Sequence, residues 1–201
     1  MAEEGVPFDE HTFRRTFGQR NDTIIADVMG PKVAKQRIAA IAAAKERRYR
    51  TLIAQEGIEA LPGALEWIRR LHAREIPQAV VSSAPPENIH TILEALAAGA
   101  FFQKLVSGEE VRRGKPDPES FLLAAQRLGV PPARCVVVED APAGLEAARR
   151  AGMAGIGLTT THPAEELAAV GAGSAMPLRI FDSLAGLPEG VFEGLIEAAT
   201  G

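Results

Sequence analysis

The chain has 201 residues, enough to bury one substantial core, either as a single domain or as a domain with an inserted subdomain. Its 22 basic and 26 acidic residues give a formal net charge of −4 and are interspersed, which argues against a nucleic-acid-binding surface. No segment approaches the roughly 18 to 20 apolar residues of a membrane span, and the start is too acidic for a signal peptide. The single cysteine, Cys135, lies in an apolar run, so we expect no disulfides and a soluble protein of the reducing cytoplasm.

The first part of the chain predicts helix almost throughout. Residues 8–55 are interrupted only at Gly18 and at Gly30-Pro31. From 33 to about 54, apolar residues recur among charged ones in the manner of an amphipathic helix. No strand candidate occurs here, so we expect residues 1–58 to form a separate helical subdomain.

From Leu61 onward, helices alternate with short apolar strands. The predicted helices lie at 62–75, at about 87–97, from Pro118 to Leu128 and after Asp140, and the predicted strands lie at 78–81, 104–106, 135–138 and 155–158. Residues 175–187 predict a closing strand and a surface helix, and we expect His162 to be exposed. Such alternation with short connections predicts an α/β fold in residues 59–201, with a parallel sheet and helices on both faces.

Two acids directly follow the central predicted strand. The run CVVV shows no alternation, which fits a strand covered on both faces, and Glu139 and Asp140 come next. Ligands bind at this carboxyl edge in open α/β sheets. Adjacent carboxylates repel unless a cation compensates them, and Mg²⁺ suits such oxygen ligands. The alternative is that Asp140 only caps the next helix while Glu139 faces water.

Two other strand exits or loops carry polar groups. Ser82 and Ser83 end a predicted strand, where they offer a hydroxyl and backbone N–H groups to an anion or, alternatively, form a simple serine turn. Lys115 lies between Gly114 and Pro116, where its ammonium would serve a phosphate if it pointed inward. If the serine hydroxyl, the lysine ammonium and a metal-binding pair of acids surrounded one crevice, the site would suit phosphoryl transfer.

The segments VVSSAPPENI, RRGKPDPESF and VVVEDAPAGLEAARRAGM resemble the second, third and fourth motifs of the haloacid dehalogenase (HAD) superfamily. The resemblance is to the branch of phosphatases and β-phosphoglucomutase-like phosphomutases that carry a helical cap, and it covers nearly the whole chain. It implies a Rossmann-like core with an N-terminal helical cap subdomain. It also implies Mg²⁺ as cofactor and a small phosphorylated metabolite as substrate.

The resemblance assigns roles residue by residue. Ser82 matches the phosphate-binding serine or threonine, Ser83 its backbone partner and Lys115 the lysine of the third motif. Glu139 and Asp140 match the Mg²⁺ acids.

Two residues of the helical part match more weakly. The segment FGQRND resembles a cap segment, so Arg20 is a candidate substrate contact, and Lys45 resembles a cap lysine near the active site. Either residue could equally be a surface charge.

One departure is large. In this family a strand before the cap ends in Asp-x-Asp, whose first Asp attacks phosphorus and whose second handles the proton. The segment at Asp9 is the only superficial candidate, and it has His11 where the second Asp belongs and no apolar strand before it. We therefore expect Asp9 to lie in the loop entering the first helix.

The central nucleophile strand is thus expected to be missing, which would leave two buried strands with unpaired edges. Three explanations stay open: a start placed too late, a truncated relative that folds with a partner or has rearranged, and a remnant without function.

Three functions follow. The first is a Mg²⁺-dependent phosphohydrolase that works through an aspartyl-phosphate, with the chain as given inactive because it lacks the nucleophile. The second is a phosphomutase, in which a sugar phosphate replaces water as acceptor. The third is a non-catalytic module that binds phosphate and Mg²⁺. The sequence does not indicate the oligomeric state.

Overall fold

The computed structural model describes residues 8–200, which form nine α-helices and five strands. The N-terminal part holds the helices α1 (Glu10–Thr16), α2 (Asn21–Met29) and α3 (Lys35–Glu56). The remainder runs α4 (Ala64–Ala73), β1 (Ala79–Val81), α5 (Pro86–Ala95), β2 (Lys104–Val106), α6 (Glu119–Leu128), β3 (Val136–Glu139), α7 (Pro142–Arg150), β4 (Ala154–Leu158), α8 (Ala164–Gly171), β5 (Leu178–Phe181) and α9 (Val191–Thr200). Short 3₁₀ turns lie at Gly99–Phe101, Gly108–Glu110, Pro132–Arg134 and Leu184–Gly186.

The N-terminal helices end where the sequence predicted breaks. Asp9 Oδ1 accepts a hydrogen bond from Thr12 N at 2.8 Å and caps α1, which confirms that Asp9 belongs to a helix entrance. Gly30 ends α2 at φ +85°, a conformation that glycine adopts without strain. Residues 8–58 contain no strand, although their status as a separate subdomain stays a prediction.

The strands form two parallel sheets, which confirms the predicted α/β class. One sheet pairs β1 with β2, and the other has the order β3-β4-β5. Within residues 8–200 no strand pairs with both β1 and β3, and Val138 of β3 is 40% exposed. Over that range the two sheets are therefore not joined by strand pairing.

Helices cover both faces of the larger sheet, as predicted. On one face, α6 and α7 pack on Val137 in a cluster that includes Phe121 and Ala148. Cys135 packs against this cluster, and burial raises the pKa of its thiol, as suits a core residue rather than a nucleophile.

On the opposite face, α4 and α9 cover β4. Trp67 lies in a cluster with Ile156 and Leu195, and Trp67 Nε1 donates a hydrogen bond to Leu184 O at 2.9 Å. The sequence pattern missed α9, and the C-terminal segment thus closes a core that begins at α4. Among the helices of residues 8–200, none has the length and apolarity that crossing a membrane requires.

Candidate functional site

Lys115 lies at the centre of the candidate site. Its side chain is 6% exposed, and its Nζ donates a hydrogen bond to Val81 O, at the end of β1, at 3.3 Å. The same ammonium contacts Glu139 Oε1 at the end of β3 and lies 4.8 Å from the centroid of the Phe121 ring. One cation therefore joins the carboxyl ends of two strands that belong to separate sheets. It also compensates the charge of Glu139, which the sequence alone had suggested a metal would do.

The turn after β1 is held by its own serines and by a neighbouring turn. Ser82 N donates to Val106 O at 2.9 Å, and Ser82 Oγ accepts a hydrogen bond from Ala84 N at 3.1 Å. This is the serine turn that the sequence offers as an alternative to anion binding. Because Oγ is the acceptor in this bond, the hydroxyl hydrogen can still be donated to another group. Ser83 Oγ donates to Gly18 O at 2.6 Å, so the turn is tied to the loop between α1 and α2. At Gly108 a Cβ would overlap the Ser83 carbonyl, so only glycine lets the two turns approach this closely.

The two acids after β3 have different surroundings. The Glu139 carboxylate lies directly against Gly144 in the first turn of α7, where a Cβ would overlap it. Asp140 Oδ2 accepts a hydrogen bond from Thr160 Oγ1 at 3.0 Å. The residue at the N-cap of α7 is Ala141, with no side-chain capping bond, so the interpretation of Asp140 as a helix cap is wrong. Because Pro142 opens the helix, its start lies one residue later than expected.

These acids fit a magnesium ion in their chemistry. Across residues 8–200, no group of three or more His, Cys, Asp and Glu side chains is arranged to hold a metal. Mg²⁺ needs fewer, since it is typically bound by one or two carboxylates together with waters and substrate phosphate. Asp140 and Glu139 supply two carboxylates at one strand end.

The structure places the two candidates from the helical part differently. Arg20 Nη1 donates to Val111 O at 2.8 Å, and the Arg20 side chain lies so close to Gly114 that a Cβ there would be 2.7 Å from Arg20 Cδ. Arg20 also pairs with Asp22 at 2.9 Å. It thus lies beside the loop of Lys115.

Lys45 is 61% exposed, and its Nζ contacts Glu46 Oε1 at 2.7 Å and Asn21 Oδ1 at 3.0 Å. The structure therefore brings Lys115 to the carboxyl ends of β1 and β3, which are followed by Ser82 and by Asp140, and Arg20 lies beside the loop of Lys115. Lys45 contacts Asn21, the residue after Arg20, and Glu46.

Sequence reasoning missed the surroundings of Asp140. His162 is 6% exposed, so the prediction that it is exposed is wrong. Its Nδ1 lies 3.1 Å from Asp140 O and its Nε2 lies 3.0 Å from Arg14 O, while Thr161 Oγ1 donates to Asp140 O at 2.6 Å. The ring also contacts the adjacent Thr161, with Oγ1 2.9 Å from Nδ1, but the two backbone carbonyls that it meets are distant in sequence, so no local pattern signals those contacts.

Comparison with known proteins gives consistent matches. A profile of haloacid dehalogenase-like hydrolases matches residues 1–152. Validoxylamine A 7'-phosphate phosphatase of Streptomyces hygroscopicus subsp. limoneus is 36% identical over 164 residues, which are 82% of this chain and 76% of that protein. The chain spans only 44% to 55% of the length of several other curated relatives.

Solved structures share the fold. A HAD hydrolase of family IA from Entamoeba histolytica HM-1:IMSS aligns with a TM-score of 0.82 at 24% identity, over 96% of this chain and 86% of that one. CbbY from Rhodobacter sphaeroides in complex with xylulose-(1,5)bisphosphate aligns with a TM-score of 0.79 at 30% identity, over 92% and 84%. The chain belongs to the haloacid dehalogenase-like hydrolase family.

Proposed function

We propose that the chain forms the phosphate-binding side of a Mg²⁺-dependent phosphohydrolase that acts on a small phosphorylated metabolite. The observation that carries the proposal is the buried Lys115 ammonium between Val81 O and Glu139. A buried cation at the carboxyl edge of a parallel sheet is placed to meet an anionic ligand. The name of the validoxylamine A 7'-phosphate phosphatase and the bisphosphate in the CbbY complex support this substrate class.

Each residue has a role in holding the phosphoryl group. Lys115 supplies positive charge to the oxygens on which charge gathers during transfer. The Ser82 hydroxyl hydrogen and the backbone of Ser83 donate to the same oxygens. Arg20, beside Gly114, is the candidate contact for the rest of the substrate.

Asp140 and Glu139 are the residues that would hold Mg²⁺. When bound, the ion supplies positive charge that neutralises phosphate oxygens and orients the substrate. Thr160 Oγ1 restrains Asp140 by donating to Oδ2. Glu139 would bind the ion while its carboxylate also contacts the Lys115 ammonium.

The nucleophile is the part that this sequence does not supply, because its 201 residues contain no Asp-x-Asp after an apolar run. We infer that a strand between β1 and β3 carries it. The first aspartate of that motif would form a bond to phosphorus as the ester P–O bond breaks, and the second would give its proton to the leaving alcohol oxygen. Water would then hydrolyse the aspartyl-phosphate to inorganic phosphate and the free aspartate. The unshared edges of β1 and β3 and the exposed Val138 support this position.

A non-catalytic phosphate- and Mg²⁺-binding protein is the second candidate. It is favoured by the same observation, that no strand of residues 8–200 joins the two sheets. A phosphomutase would differ only in its acceptor, and glucose 1-phosphate with product analysis separates it from a phosphatase.

Hydrolysis of p-nitrophenyl phosphate with Mg²⁺ tests the proposal. We expect no turnover by the 201-residue chain. We expect turnover once the chain is extended at its N-terminus by the residues that the upstream codons encode. Turnover by the 201 residues that is lost in Asp140→Ala would show that the nucleophile lies within them. Upstream codons that encode no Asp-x-Asp after an apolar run would refute the position inferred for the nucleophile.

A further inference from the structure

Glu46 is a buried carboxylate that the proposed reaction does not use. It lies in the middle of α3 and is 5% exposed. Its Oε1 accepts hydrogen bonds from Asn21 Nδ2 at 2.5 Å and Lys45 Nζ at 2.7 Å, and its Oε2 accepts one from Asn88 Nδ2. Burial raises the pKa of such a carboxyl, but the hydrogen bonds from Lys45 and Asn21 outweigh it, and the pKa of Glu46 is lowered.

The two asparagine partners of Glu46, Asn21 and Asn88, also accept a hydrogen bond at their amide oxygen. Asn88 is 2% exposed, and its Oδ1 accepts a hydrogen bond from Arg50 Nη1 at 2.6 Å. Asn21 Oδ1 accepts one from Lys45 Nζ at 3.0 Å. We call these five residues the Glu46 network. If α2, α3 and α5 were displaced relative to one another, buried polar groups would be left without partners, so the network favours a single arrangement.

The network is adjacent along the chain to two parts of the candidate site. Asn88 lies in the first turn of α5, which begins directly after the turn that holds Ser82. Asn21 is the first residue of α2 and follows Arg20, which contacts Val111 O. Glu46 therefore connects the helix after the phosphate-binding turn with the helix after Arg20.

We propose that Glu46 is a positioning residue that fixes α2 and α3 against the start of α5. Through Asn21 and Asn88 it sets where Arg20 and Lys45 lie relative to the phosphate-binding groups. This proposal rests on the function proposed above for those groups. Glu46 itself is buried and accepts three hydrogen bonds within the network, so it acts through Arg20 and Lys45, and its effect falls on the part of the substrate beyond the phosphate.

A donor–acceptor exchange tests the proposal. Glu46→Gln removes the charge, and Asn88→Asp places two carboxylates in contact. The double variant restores an amide-to-carboxylate hydrogen bond between α3 and α5, with its carboxylate still beside Arg50. Glu56→Gln, an exposed acid on the same helix, is the matched control.

Binding of glucose 6-phosphate and of inorganic phosphate, both with Mg²⁺, is measured by calorimetry on the four variants and the wild type. We expect each single network variant to weaken glucose 6-phosphate binding by about fivefold or more, and the double variant to recover most of it. Inorganic phosphate affinity should stay within about twofold, because the groups proposed to hold phosphate, namely the turn after β1, Lys115 and the two Mg²⁺ acids, are not members of the Glu46 network. A double variant as weak as the sum of the singles, or equal losses for both ligands, would overturn the positioning role.

Amide hydrogen exchange separates this role from the proposed function. In the single variants, exchange should accelerate in residues 21–29 and 86–95 but not in α7 or α9, and the double variant should restore protection. If the protein shows this exchange pattern but binds neither ligand, the proposed phosphate site is refuted, while the role of Glu46 in fixing these helices still holds. Uniform acceleration over the chain, or none, would refute the positioning role.

Discussion

Lys115 and Glu139 form an ion pair in which both side chains are almost fully buried, 6% and 11% exposed. Removing one member leaves the other charge without a partner in a poorly solvated place, which is usually more costly than removing both. The pair is therefore a structural joint between the two sheets as well as part of the candidate site.

We predict that Lys115→Met lowers the free energy of unfolding by about 3 kcal/mol, because Glu139 then remains buried and unpaired. Urea unfolding followed by the fluorescence of Trp67, the single tryptophan, measures this change. The double variant Lys115→Met with Glu139→Gln should be more stable than Lys115→Met alone. Lys104→Met, at an exposed position of β2, serves as control. Equal stability of Lys115→Met and the control would contradict the buried pair.

Two glycine substitutions should separate function from stability. At Gly144 the obstacle to a Cβ is the end of the flexible Glu139 side chain, so the carboxylate should shift while it stays paired with Lys115, and Gly144→Ala should cost less than about 1 kcal/mol. At Gly108 the obstacle is the Ser83 backbone, so Gly108→Ala should cost about 2 kcal/mol. Urea unfolding and Mg²⁺ binding are measured on both. Normal Mg²⁺ affinity in Gly144→Ala would count against Glu139 as a metal ligand.

Asp140→Asn should weaken Mg²⁺ binding by about tenfold or more, since an amide replaces a carboxylate ligand. The chain offers a close control in Asp182, which also follows a parallel strand and also accepts a threonine hydroxyl, from Thr159 at 3.0 Å. Asp182→Asn should leave Mg²⁺ affinity unchanged. Equal losses from the two substitutions, measured by calorimetry, would remove the special role of Asp140.

Acid should weaken the contribution of Glu146. Hydrogen bonds from Arg149 and Arg150 lower the pKa of this carboxyl from 4.5 to about 2. Because the folded-state pKa lies below the unfolded-state value, the contribution is complete above pH 4.5 and is lost as the pH falls from there towards 2.

Both arginines are partly exposed, so Glu146→Gln should cost only about 1 kcal/mol at pH 7. The cost should shrink between pH 4.5 and pH 3. Urea unfolding across this range measures it, with Glu94→Gln, at an exposed position of α5, as control. A cost that does not change with pH would exclude the carboxylate charge as its cause.

The order of elements and the acids at the sheet edge were predictable from local pattern. The apolar run before Glu139 predicts a strand covered on both faces, and the structure has β3 at Val136–Glu139. The strand is confirmed, but its burial is not, because Val137 is buried while Val138 is 40% exposed. Glycine and proline mark most helix ends, because they act through local backbone geometry. Such signals need no knowledge of distant residues.

The partners of the buried polar groups were not predictable. His162 contacts Arg14, which is 148 positions away, and Glu46 contacts Asn88, which is 42 positions away. A single sequence shows that His162 and Glu46 are polar, but burial and pairing are decided by tertiary packing. The same holds for Glu139, whose compensating cation in the structure is Lys115.

The enclosure of Trp67 has a consequence for synthesis in the cell. The indole donates to Leu184, 117 positions later, and packs against Phe192 at a centroid distance of 5.3 Å. On a growing polypeptide, α4 therefore emerges from the ribosome long before its cover exists. The indole of Trp67 therefore stays exposed to solvent until translation is nearly finished. A nascent chain stalled before residue 184 would expose this apolar surface to chaperones and proteases.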